Sequence, residues 1–165
     1  MSIQQRLDEL GVTLPPVAAP LAAYVPATTS GRRVLTSGQL PFVDGNLPLT
    51  GKVGAEVTLE QAADLARTCA LNGLAAAASV AGGVDNLVKV IKVVVYVASS
   101  PDFTQQPLVA NGASELLAEV FGKAGQHVRS AVGVAVLPLD SPVEVELICE
   151  TADEGPTVVP ARAQA

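Results

Sequence analysis

Arg129 opens a β-branched stretch, RSAVGVAV at 129–136, and is the only basic residue between Lys123 and Arg162. In an extended strand its same-face neighbours are Ala131 and Gly133. Small side chains beside a guanidinium predict a hollow in which a carboxylate meets the fork in bidentate fashion. Glu144 lies in the following segment, VEVELIC at 143–149, and on an adjoining strand it would hold and polarise a water near such a ligand. A plainer reading stays open beside this one, in which Arg129 and Glu144 or Glu146 form a cross-strand ion pair.

Other chemistries fit the residue inventory poorly. There is one histidine, His127, which argues against a His-based metal site or a Ser-His-Asp triad. We read it as a surface residue preceding a strand. Cys69 and Cys149 form neither a CxxC motif nor a Cys/His cluster, and nothing marks the chain as secreted, so reduced thiols are expected. The glycines of Gly51-Lys-Val-Gly54 match neither a P-loop nor a dinucleotide fingerprint. No metal and no cofactor are expected.

Charge and aromatic content narrow the partners. Ten Lys and Arg against 16 Asp and Glu give a net charge of −6, and aromatics are 3% of the chain. Nucleic-acid binders need a basic stripe, and single-strand binders need stacking rings, so no nucleic-acid partner is expected. Val88 to Ala98 is near-apolar but contains two lysines and is too short to span a bilayer. The polar, amphipathic start from Met1 to Gly11 does not read as a signal peptide. A cytoplasmic protein without a membrane partner is the expectation.

The elements that must position Arg129 and Glu144 follow from periodicity. Residues 2–10 suit a short helix capped by Ser2, with Ile3, Leu7 and Leu10 on one face and a proline-rich linker after it. Extended segments are read at Tyr24–Thr28 and Arg33–Thr36, around a turn at Ser30-Gly31. Thr58 and Gln61 make a capping box for a helix whose apolar stripe is mostly alanine and which stops at Gly82-Gly83. Val88–Ala98 reads as a buried strand, and a second helix runs from about Pro107 to Phe121. Arg129–Val136 and Val143–Cys149 are the last strands, the latter alternating with Glu144 and Glu146 on one side.

The order β-β-α-β-α-β-β predicts an α+β two-layer domain, its two long helices on one face of a four- to six-stranded sheet. Residues 1–20 form a helix and linker, 21–151 the domain, and 152–165 an expected flexible tail. The other sheet face, on which we place Arg129, Glu144 and Glu146, has no cover of its own and suggests a second copy of the chain.

These residues resemble a family. Thr36-Ser-Gly-Gln-Leu-Pro41, Asp102-Phe103, Asn111, Arg129-Ser130 and Leu137-Pro138 followed by Val143-Glu-Val-Glu146 are similar to the Rid family, the YjgF/YER057c/UK114 or L-PSP endoribonuclease-like group. The ordered set runs from Tyr24 to Ile148, and the likeness is to a branch with an N-terminal helix. It implies a chorismate-mutase-like fold with a mixed sheet, and a homotrimer with three clefts between subunits. It implies cofactor-independent hydrolysis of 2-imino acids or enamines to 2-keto acids and ammonia. By resemblance Arg129 clamps the substrate carboxylate and Glu144 positions the attacking water. Tyr24, Ser37, Gly38 and Asn111 line the cleft.

The departures bear on activity. Active deaminases of the family carry Pro-Ala-Arg-Ser-Cys where this chain has His127-Val-Arg-Ser-Ala131. Ala131 therefore stands where a cysteine faces the cleft, and Ala22-Ala23-Tyr24 stands for Gly-Pro-Tyr. Besides the deaminase, a non-catalytic trimer that senses or sequesters a small carboxylic acid remains open. Ribonuclease activity, which the older family name suggests, fits the acidic charge less well.

Overall fold

A computed structural model describes residues 1–17 and 23–153. The tail expected from 152 onward, and the end of the proline-rich linker, thus fall largely outside the described residues. No helix among the described residues is long and apolar enough to cross a membrane.

The elements are α1 (Ile3–Glu9), β1 (Ala27–Ser30), β2 (Arg33–Thr36), α2 (Leu59–Ala81), β3 (Leu87–Ala98), α3 (Gln106–Phe121), β4 (Val128–Val134) and β5 (Val143–Thr151). The sheet has five strands in the order β1-β2-β5-β3-β4, mixed because only β3 and β4 run parallel. Two long helices pack on one face. The α+β reading holds.

Both helix starts with a capping box form as expected. Ser2 and Thr58 each accept a backbone N–H three residues on, and Gln5 and Gln61 return the bond to the cap. Gly82 ends α2 in the left-handed region at φ 78°, which costs glycine nothing. The alanine stripe of α2 has two separate uses. At Gly73 the helix presses the sheet so closely that an added Cβ would stand 2.8 Å from Leu147 Cδ1. At Ala63 it meets α3, where a Cβ on Gly112 would overlap the Ala63 carbonyl oxygen.

The core is the aliphatic layer between helices and sheet: Leu65, Leu74, Leu116 and Leu117 from α2 and α3 against Val93, Val95, Val145 and Leu147. α1 joins it through Leu7, which is fully buried, while Arg6 Nε donates to the Glu119 carbonyl at 2.8 Å. Burying one leucine this way is worth about 1.5–3 kcal/mol, enough to hold a two-turn helix in place.

Boundaries differ in one informative place. β1 begins at Ala27 instead of Tyr24, because Pro26 has no N–H to give a ladder. The turn accordingly falls on Gly31-Arg32, with Ser30 paired to Arg33 and Gly31 at φ 56°. On the open face of the sheet Leu35, Val128 and Val132 remain exposed.

Candidate functional site

Arg129 lies on the helix-covered side of the sheet. β4 pairs with β3 so that Arg129 stands beside Val93, a fully buried core residue, and both project toward α3. There α3 presents three acceptors at helical spacing, one to each turn. Arg129 Nη1 donates to Asn111 Oδ1 at 2.9 Å and to Ser114 Oγ at 3.0 Å, while Nη2 donates to the Pro107 carbonyl at 3.3 Å. All three acceptors are neutral, and Arg129 makes no ion pair among the described residues. Of its five N–H donors, Nε–H and one on Nη2 have no partner among the described residues. They form one bidentate edge.

His127 belongs to this group and is not the plain surface residue expected. Its Nδ1 is 2.6 Å from the Gly125 carbonyl oxygen and its Nε2 is 3.0 Å from Ser114 Oγ. A shallow hollow of about 320 Å³ opens between Ser114, Ala118, Gln126, His127 and Arg129. The hollow expected at Gly133 does not exist, because the Gln106 amide and Ser99 hydroxyl fill it, 2.8 and 3.0 Å from where a Cβ would stand. Ala131 does lie on Arg129's side, packed against the core.

Glu144 occupies the opposite face. It pairs with Tyr96 across β5 and β3, and alternates with the buried Val143 and Val145. Past the end of β2 the chain continues beside β5, with Gln39 and Val145 exchanging backbone bonds of 2.8 and 3.0 Å. That extension lays Gly38 on the Glu144 carboxylate, so closely that a Cβ would overlap Oε1. Ser37 ties the loop to the Tyr24 segment, its Oγ donating to the Val25 carbonyl at 2.6 Å and its N–H to that of Pro26 at 2.8 Å. Partial burial, and after it the charge of Glu146, hold the Glu144 carboxyl above its ordinary range. Tyr96 is raised by burial first and then by Glu146, toward which its hydroxyl points at 3.5 Å.

The seven candidate residues therefore fall into two groups. Arg129, Asn111 and Ala131 stand on the helix side, whereas Ser37, Gly38 and Glu144 stand together at the open face, with the Tyr24 segment tied to them through Ser37. The expectation that Arg129 shares the open face with Glu144, on an adjoining strand, is corrected. β3 lies between β4 and β5, two strand spacings or about 10 Å of backbone separate the pair, and their side chains point to opposite sides. The cross-strand ion pair is excluded for the same reason. Tyr96, Ser114 and Pro107 were not singled out from sequence, although Pro107, Asn111 and Ser114 share a helical stripe.

Both thiols are free and buried. Burial pushes Cys149 up to about 12 and raises Cys69 strongly as well. Among the described residues no three His, Cys, Asp or Glu side chains group closely enough to hold a metal ion.

A family model described as "YjgF/chorismate mutase-like, putative endoribonuclease" matches residues 4–151. The chain belongs to this family. Within the YjgF family it is similar to protein TCP17 of Trypanosoma cruzi, 43% identical over 149 residues that cover 90% of this chain and 93% of that one. It is similar to Atu1372 of Agrobacterium tumefaciens, whose crystal structure is described as of unknown function. There the identity is 45% and the TM-score 0.82, over 90% of this chain and 92% of that one. Escherichia coli TdcF, crystallised with bound serine, is 27% identical with a TM-score of 0.60, over 84% and 94% of the two chains. The two-layer arrangement is thus the chorismate-mutase-like fold of the YjgF family.

Proposed function

We propose that this YjgF-family chain is a cofactor-independent imine or enamine deaminase acting on small 2-imino acids in clefts shared between copies of itself. The observation that carries this reading is the state of Arg129. A guanidinium held by three neutral acceptors, unpaired with any described carboxylate and left with one bidentate edge, is prepared for an external carboxylate. That TdcF was crystallised with serine, an amino acid bearing such a carboxylate, supports the same chemistry.

Because Arg129 and Glu144 face opposite ways, one chain alone does not join them. The exposed Leu35, Val128 and Val132 on the open face favour burial against another copy, in the homotrimer that the resemblance implies. In such a cleft Arg129 and Asn111 of one copy meet Glu144, Gly38, Ser37 and Tyr24 of the next.

The reaction needs little more. Water adds to the carbon of the C=N bond, and ionised Glu144 takes the proton released from the water. The C=N π electrons move to nitrogen and give a carbinolamine. Glu144 then returns the proton to nitrogen, and the C–N bond breaks with its electron pair leaving on ammonia. The hydroxyl oxygen closes to the keto group as its proton passes through Glu144 to that ammonia, which departs as ammonium. A protonated imine is electrophilic already, so orientation by Arg129 and a positioned base supply the acceleration.

The test generates imino acid with an amino-acid oxidase and traps the remainder with semicarbazide. Purified protein is expected to accelerate imine loss, and Arg129→Ala to abolish the effect. No acceleration by the wild type, or full activity in Arg129→Ala, overturns the reading. Ala131, where active deaminases have cysteine, favours a second reading as a non-catalytic binder of small carboxylic acids. Saturable, Arg129-dependent heat of binding without turnover would select it. RNA cleavage surviving both Arg129→Ala and Glu144→Ala would return the ribonuclease instead.

A further inference from the structure

Three hydroxyl side chains sit inside the two long helices, and two behave ordinarily. Thr68 Oγ1 donates to the Asp64 carbonyl at 3.1 Å and Ser79 Oγ to that of Ala76 at 2.7 Å, each bonding back into its own helix. Ser114 does not. Its Oγ reaches out of α3, 3.0 Å from Arg129 Nη1 on one side and 3.0 Å from His127 Nε2 on the other.

The proton inventory orders these contacts. The Gly125 carbonyl only accepts, so His127 Nδ1 carries the proton in its 2.6 Å bond. In the neutral imidazole Nε2 is then the acceptor, and the Ser114 hydroxyl must donate to it. Guanidinium N–H groups only donate, which leaves a Ser114 oxygen lone pair to accept from Arg129 Nη1. The series Arg129 to Ser114 to His127 to Gly125 runs in one direction with every donor matched. Its far end is fixed, because Gly125 is buried so tightly under α3 that a Cβ there would overlap the Leu117 carbonyl oxygen.

We propose that Ser114 and His127 are positioning residues for Arg129, closing its Nη1 edge so that the Nε–H and Nη2–H edge is the one presented to a carboxylate. Asn111 also accepts from Nη1, but among the described residues only Ser114 has its own orientation imposed by a further residue. A guanidinium not held at Nη1 would swing on its side-chain torsions and present the Nε–Nη2 edge to a ligand only part of the time, at a loss of affinity. Free exchange of its two Nη groups by rotation about Nε–Cζ would report that the hold is gone. This rests on the reading of Arg129 as a carboxylate clamp.

The test uses full-length protein, with pyruvate as the probe, and four variants. Ser114→Ala and His127→Leu break the series. Ser114→Thr keeps the hydroxyl, and His127→Gln puts an amide oxygen where Nε2 stands. The first readout is the nitrogen-15 NMR spectrum of the Arg129 guanidinium, assigned by its loss in Arg129→Lys. Wild type, Ser114→Thr and His127→Gln are expected to show separate Nη signals from hindered rotation, and Ser114→Ala and His127→Leu merged ones. The second readout is pyruvate affinity, expected about tenfold weaker in the two breaking variants and within about twofold in the two rescuing ones. Resolved Nη signals and wild-type affinity in Ser114→Ala overturn the proposal, as do merged signals in the wild type. Pyruvate that fails to bind even the wild type overturns the clamp reading instead, while the predicted pattern of Nη signals would still uphold the positioning role.

Discussion

Replacing Gly38 by alanine should separate chemistry from stability. The three atoms nearest an added Cβ all belong to the Glu144 side chain, the overlapped Oε1 and Cδ and then Cγ at 3.0 Å, and none belongs to backbone. The carboxylate must therefore swing away while the sheet stays where it is. An off-rotamer glutamate costs about 0.5–1.5 kcal/mol. Gly38 lies outside the left-handed φ range, so alanine is tolerated there and regains about 0.4–1 kcal/mol by restricting the unfolded chain. The two nearly cancel, and the melting temperature should move by no more than about 2–4 °C. In its proposed role as general base, by contrast, a displaced Glu144 would lose a contribution of about 10²–10⁴ in kcat. Thermal unfolding and the semicarbazide-trap assay on one preparation would read both. Activity within about threefold of wild type would refute the argument, since that loss is far below what a general base contributes. So would a melting temperature lowered by more than about 10 °C, because that much destabilisation means the side chain had nowhere to go.

Three further outcomes follow from the structure. Glu144 must be ionised to accept a proton, so the acid limb of activity should lie above the ordinary glutamate range, and Glu146→Gln, by removing one cause of the shift, should move that limb to lower pH in a pH–rate profile. For stability the sign is opposite: the folded state binds this proton more tightly than the unfolded one, so the stabilisation is full below 4.5 and is lost as pH rises through the folded value, and denaturant titrations should show a smaller loss across that window in Glu144→Gln. Gly112→Ala, unlike Gly38→Ala, drives a Cβ into the backbone carbonyl of Ala63, and should cost about 1–3 kcal/mol or more by denaturant titration because two helices must part.

Local physics made much of the fold readable in advance. The Thr58 and Gln61 capping box and the Gly82 stop bound α2 through bonds made within a few residues, and the alternation in Val143–Cys149 survives intact because one buried side imposes a period of two. What could not be read was which strand lies beside which. Periodicity within β4 and β5 says which residues share a side of their own strand, but not that β3 runs between them or how the two sides correspond. For that reason the sequence pattern puts the arginine and the glutamate on one face, where the structure puts them on opposite ones. The contacts of Ser114, and those of the histidine read as a plain surface residue, were illegible for a related reason. A helix serine and a pre-strand histidine meet only once a parallel crossover brings α3 over the start of β4.

The placement of β3 has a genetic consequence. It supplies core valines to one side and Tyr96 to the other, so damage to Arg129 and damage to Glu144 are confined to different surfaces of the molecule. Under the proposed reading of a cleft shared between copies, two alleles, one lacking the arginine and one lacking the glutamate, would each be null when expressed alone. Co-expressed, their products would assemble some clefts from two undamaged surfaces and leave others doubly defective. Interallelic complementation would then restore part of the activity, where two lesions on the same side would restore none.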